Sequence, residues 1–299
     1  MAYRVKRKES PRKALRRIAR EQIDRLLGEL AEPSLFPYDR ALQVRRRCKR
    51  MRALLRLFRG SLGATFAEED RWYRDAARSL APFRDADALL DTLTGLLRLD
   101  PHLAQAPDVA EFLLRLAHER EALAEAEGLS ERLDALAGEL AGARDRVAGW
   151  KVRKRGYDAV GPGLERTARR GRRALARALA EGGPEARHAW RRQAKYHWLH
   201  VRLLRGVWPE TLLPYHTSVK ELIDLLGAEH NLVLLLGRLE APEETVLGAE
   251  SRQALQALAR EQQGALLARA VPLGRRIHAE RPAALGRRLG AYWDLWRSA

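Results

Sequence analysis

The sequence has one cysteine, Cys48, and two methionines in 299 residues. A single thiol excludes an intramolecular disulfide, and no Cys-x-x-Cys or mixed Cys/His spacing points to structural zinc. Long apolar runs are missing too, since no stretch approaches the roughly 20 residues needed to cross a bilayer. The opening MAYRVKRKESPRKALRRIAR lacks the apolar segment of a secretory signal. Together these absences lead us to expect a cytoplasmic protein with no membrane association. β-Branched residues are sparse and aromatic residues make up only 6%, which leaves little material for strands. Acidic residues are outnumbered, with 39 Asp+Glu against 56 Lys+Arg and a formal net charge of +17. A field of that sign attracts polyanions, so nucleic acid, anionic membrane and phosphate polymers are all admissible partners.

What is abundant is Ala, Leu, Arg and Glu, whose summed propensity favours helix nearly everywhere. An all-α fold is therefore expected. Apolar residues recur at three and four positions, with Pro and Gly between the periodic segments. That pattern predicts helices at about 10–31, 38–60, 67–80, 82–98, 108–126, 129–149, 162–182, 184–206, 214–226, 228–240, 249–270 and 282–297. Ser10 is a candidate cap before Pro11, and Pro184 follows a Gly-Gly pair as a helix opener. Because proline inside a helix removes a donor and clashes with the preceding turn, Pro209 to Pro214 is expected to be a connection.

An internal repeat runs from about Arg45 to Leu93 and again, 146 residues later and without a gap, from Arg191 to Leu239. It pairs Arg45 with Arg191, Arg46 with Arg192, Lys49 with Lys195, Arg56 with Arg202 and Leu93 with Leu239. Duplicated helical units too small to bury their apolar faces pack on their copies. Two pseudo-symmetric four-helix bundles are thus expected, one about 10–150 and one about 160–299, within a single domain spanning 1–299.

On the first copy Arg45, Lys49, Arg52, Arg56 and Arg59 project from one side of the helix beside an apolar sector of Val44, Cys48, Met51, Leu55 and Phe58. The second copy carries His188, Arg191, Arg192, Lys195 and Arg202. Like charges at i and i+4 repel, a cost that a bound anion relieves. Guanidinium forks and mobile ammonium groups suit phosphate oxygens. A single such stripe would be read as a solvated face, but its recurrence in a diverged copy favours binding. Two further clusters either line the same channel or face water: Arg166, Arg169, Arg170, Arg172 and Arg173, and, nearer the start, Arg12, Lys13, Arg16, Arg17 and Arg20.

At these residues the chain resembles a known family. HAWRRQAKYHWLHVRLL is similar to H-x-x-R-[KR]-x-x-K, the signature of the CHAD family (conserved histidine α-helical domain), and VRRRCKRMRALLRLF resembles its first copy. LAPFRDADALL and LLGAEHNLVLL look like the helix starts that follow each signature. The resemblance covers nearly the whole chain. It implies two four-helix bundles around a basic central pore or groove, binding of inorganic polyphosphate, and association with polyphosphate granules and their components. It assigns the second signature to His188, Arg191, Arg192 and Lys195, the first to Arg45, Arg46 and Lys49, and a later histidine to His230. Leu42 stands where the first signature begins with histidine, Arg84 is the partner of His230, and Ala168 replaces a common aromatic.

The predicted polyphosphate-binding residues are therefore Arg17, Arg20, Arg45, Arg46, Lys49, Arg52, Arg56, Arg84, Arg166, Arg170, Arg173, His188, Arg191, Arg192, Lys195, His200, Arg202 and His230. His197 and His200, at i and i+3, lack the further ligands a metal would need. Asp85 and Asp87 read as helix-start carboxylates, and the seven tryptophans as core fillers. No P-loop, HExxH or paired-carboxylate motif is present, so neither catalysis nor a cofactor or metal is expected. A nucleic-acid binder is the second reading, though helix-turn-helix, zinc-finger and RNP patterns are absent; an enzyme of phosphate polymers is the third.

Overall fold

A computed structural model describes residues 3–242 and 244–299, and the described residues are 83% helical with no strand. The first half runs α1 (Pro11–Ala31), α2 (Pro37–Leu57), a short α3 (Arg59–Leu62), α4 (Thr65–Ser79) and α5 (Ala81–Leu97), then a short α6 (Pro101–Ala104), α7 (Pro107–Ala126) and α8 (Leu129–Gly149). The second comprises α9 (Gly161–Glu181), α10 (Pro184–Leu204), α11 (Pro209–Leu239), α12 (Ala249–Ile277) and α13 (Pro282–Ser298). Ser10 Oγ accepts from the Lys13 amide at 3.3 Å, and Pro11 and Pro184 open their helices, as the capping pattern predicts.

Boundaries of α11 and α12 differ from expectation. Residues 209–239 form a single helix with Pro214 inside it. Pro214 is exposed and lies in the second turn, where the lost hydrogen bond frees a carbonyl that water can reach. Its cost of about 3 kcal/mol is set against the burial of Val219, Leu222, Ile223, Leu226, Leu232, Leu235 and Leu239. At about 1.5–3 kcal/mol for each such side chain, burial wins. Gly227 does not break this helix either; it packs beside the Arg191 guanidinium, which a Cβ there would meet in ordinary contact at 3.6–3.7 Å. Pro272 is likewise carried within α12.

Helix α2 packs on α1 and α4, and α10 on α9 and α11; α5 packs on α7, and α11 on α12. Across the halves, α2 meets α10 and α5 meets α11. Two of the three apolar cores cross residues 150–160, and the third lies within α9 to α12. The largest joins α1, α2, α4 and α8 to the start of α9, the end of α10 and α13, with Trp150 and Trp293 buried in it. A second joins α5 and α7 to α11 and α12. The segment before α1 is tied in as well: Tyr3 and Val5 are buried, the Val5 amide donates to Leu203 O at 2.9 Å, and Tyr3 Oη donates to Arg50 O at 2.6 Å.

Candidate functional site

Four helices, α2, α5, α10 and α11, meet around two clefts that share a wall. The first, about 300 Å³, is lined by Arg45, Lys49, Arg52, Arg84, Asp85, His188, Arg191, Arg192, Lys195, Tyr196 and His230, among others. The second, about 350 Å³, is lined by Arg46, Lys49, Arg50, Arg84, Arg191, Lys195, Trp198, Lys220, Asp224 and Asn231, among others. Lys49, Arg84, Arg191, Lys195 and Leu199 face both.

The helical period explains this layout. Arg45, Lys49 and Arg52 form one row on α2, and Arg46 and Arg50 a second row offset by about 100°, so a single helix supplies cations to both clefts.

These cations are crowded and half-buried. Burial, then Lys195 and the guanidiniums of Arg45, Arg191 and Arg84, push the Lys49 ammonium down to about 6. Burial and Arg191 lead the causes that bring Lys195 to about 8, and burial and Arg84 those that bring Arg191 to about 10. No carboxylate forms an ion pair with Lys49, Arg191 or Lys195 among the described residues. Arg84 donates to Asn231 Oδ1 at 2.8 Å and lies 3.6 Å from Asp85. His188 and His230 sit with ring centroids 4.4 Å apart. Burial first, then the neighbouring cations, lowers both imidazoles, His230 to about 4, so both are neutral near pH 7. Arg45 Nε, Arg84 Nη1 and His188 Nδ1 are buried with no hydrogen-bond partner in the protein.

The other predicted residues are distributed around this centre. Arg52 and Arg56 are paired with Asp70, and Arg56 lies over the Tyr196 ring at 4.6 Å. Arg202 lies over Trp198 at 5.6 Å without lining either cleft. Arg166, Arg170 and Arg173 are exposed on α9, and only Arg170, influenced by Arg56 and Arg59, lies beside the cationic row.

Three expectations are corrected. His200 is fully buried, and its Nε2 meets Ala53 O at 2.9 Å; it joins α10 to α2 and touches no cleft. Arg17 is held by Glu9 and Glu21 on the α1 side, and exposed Arg20 lines neither cleft. His197 Nε2, three residues before His200, lies 2.7 Å from Tyr215 Oη. Arg50, Lys220, Asn231, Tyr196, Trp198 and the cleft-facing role of Asp85 were not assigned from sequence. Arg50, four residues after Arg46, carried a readable signal; the others depend on which helices meet.

A family model, CHAD domain, matches residues 17–240. The chain belongs to the CHAD family. The matched span contains every cleft-lining residue named above, and the recognised signatures of this CHAD protein lie on α2 and α10. A comparison with curated proteins finds no match.

Proposed function

We propose that this CHAD protein binds inorganic polyphosphate, without turnover, in the cationic cleft pair between α2, α5, α10 and α11. The observation that carries the reading is the shared wall. Lys49, Arg84, Arg191 and Lys195 face both clefts, a half-buried concentration of positive charge that a linear polyanion crossing from one side to the other would neutralise. CHAD domains are associated with polyphosphate binding, which supports the same choice.

The repeat supports a pseudo-twofold passage. Shifting the residues of the first cleft by 146 positions yields, among others, Arg46, Lys49, Arg50, Arg84, Arg191, Lys195 and Trp198, which line the second, whereas Leu42, Arg45, Ala53 and His230 do not. On this reading each half contributes related positions to the two clefts. Granule association in the cytoplasm belongs to this proposal. Nucleic acid remains the competing polyanion, but its bases add bulk that clefts of 300–350 Å³ do not favour.

Calorimetry tests the reading. Polyphosphate of tens of units is expected to bind far more tightly than orthophosphate, because contacts multiply along one chain. Reversing charge at Arg192 and Lys195 together is expected to abolish binding while helicity is retained. Equal affinity for short and long phosphates, an unaffected double variant, or RNA that excess polyphosphate fails to displace would each count against it.

A further inference from the structure

Arg52 and Arg56 belong to the cationic row of α2, yet their guanidinium groups already face an anion. Asp70, on α4, accepts from Arg52 Nε at 3.1 Å and from Arg56 Nη2 at 2.8 Å. All three side chains are less than a fifth exposed. Carboxylate and phosphate oxygens compete for the same forked donors, so Arg52 and Arg56 cannot offer these hydrogens to a ligand while Asp70 holds them.

The repeat supplies an internal comparison. The positions 146 residues after Arg52, Arg56 and Asp70 are Trp198, Arg202 and His216. There the two rings stack at 5.1 Å and 25°, with Arg202 over Trp198. No carboxylate pairs with Arg202 among the described residues. Burial and the neighbouring Arg205 and Arg202 lead the causes that lower His216 to about 4, leaving it neutral. The carboxylate that does line the second cleft, Asp224, is engaged by Lys220 four residues earlier on its own helix. The two groups carry the same net charge, but only the first holds its cations in an internal ion pair.

We infer that Asp70 is an internal counter-anion that withholds Arg52 and Arg56 from a bound phosphate chain and so limits affinity at the first cleft. The inference rests on the polyphosphate reading above. It assigns Asp70 a role in setting affinity.

Affinity for polyphosphate of tens of units, measured over a salt series for wild type, Asp70→Asn, Asp70→Glu and Arg56→Gln, tests it. Asp70→Asn keeps the shape and removes the charge. It is expected to bind about tenfold more tightly at low salt, with a salt dependence steeper by about one to two phosphate contacts. Asp70→Glu is expected to match wild type. Arg56→Gln is expected to weaken binding much more in the Asp70→Asn background than in wild type, the coupling that a double-mutant cycle reads.

Affinity of Asp70→Asn that is equal to or weaker than wild type, with an unchanged salt slope, overturns the inference. Should that variant fail to fold by circular dichroism, Arg56→Gln decides alone, and a tenfold loss there overturns it. Wild-type protein that does not bind polyphosphate refutes the functional reading itself; wild-type binding with an indifferent Asp70 refutes only the role given to Asp70.

Discussion

Lys49 shows how a site can be built against stability. Its ammonium lies among Lys195, Arg45, Arg191 and Arg84, and burial with these neighbours lowers it from 10.5 to about 6. In the unfolded chain the group regains its ordinary value. Between about pH 6 and 10.5 the unfolded state therefore binds more protons than the folded state, so the ligand-free protein gains stability as pH rises through that window. Below about pH 6 the penalty is fully present. Lys49→Met, similar in length and uncharged, is expected to raise the melting temperature of the free protein by about 2 °C or more, the effect of about 1 kcal/mol in a sizeable domain. The gain should be larger at pH 6 than at pH 9, while polyphosphate affinity falls by at least about tenfold. Scanning calorimetry and titration together check this; a variant that loses stability at every pH contradicts it. The sequence made Lys49 visible as a stripe member, but its depressed basicity comes from α5 and α10 closing over it.

At the scale of elements, glycine sets how closely the cationic helix is held. Gly163, near the start of α9, lies against the last turn of α2; a Cβ there would meet the Leu57 carbonyl carbon at 2.6 Å and Arg56 O at 2.8 Å. Both are backbone atoms, so neither can swing aside. Gly163→Ala is expected to cost about 1–3 kcal/mol and to weaken polyphosphate binding, because α2 carries Arg45, Lys49 and Arg52. Thermal melts beside binding titrations check the pair of effects; a substitution without thermal cost would show that α9 and α2 separate freely. Helix positions were legible because their apolar period and proline starts are local properties. Pro214 was misread for the complementary reason: the burial that carries α11 through it is supplied by α10 and α12, partners that no local window contains. His200 was misread in the same way, since a histidine five residues after Lys195 passes for part of the cationic cluster until α2 is seen to cover it.

For the whole molecule, the net charge of +17 and the lowered lysines couple ligand binding to salt and to protons. A phosphate chain in the cleft raises the basicity of Lys49 and Lys195 above about 6 and about 8, so binding near pH 7 to 8 is expected to take up protons. Affinity should then fall as pH rises across that range, by no more than about tenfold per unit for each proton taken up, and should fall with added salt as counterions are retained. Titrations in buffers of differing ionisation enthalpy count the protons; binding heats identical in all buffers would exclude this coupling. By itself the sequence determined that the chain is helical, duplicated, strongly basic and marked by two related signatures, because composition, periodicity and spacing travel with the chain. Tertiary structure alone decided which charges converge. The two cationic rows of α2 reach two different clefts, Asp70 pairs with Arg52 at one of them and with Arg56 beside it, and two of the cores join both halves, because these outcomes depend on distances between residues far apart in sequence.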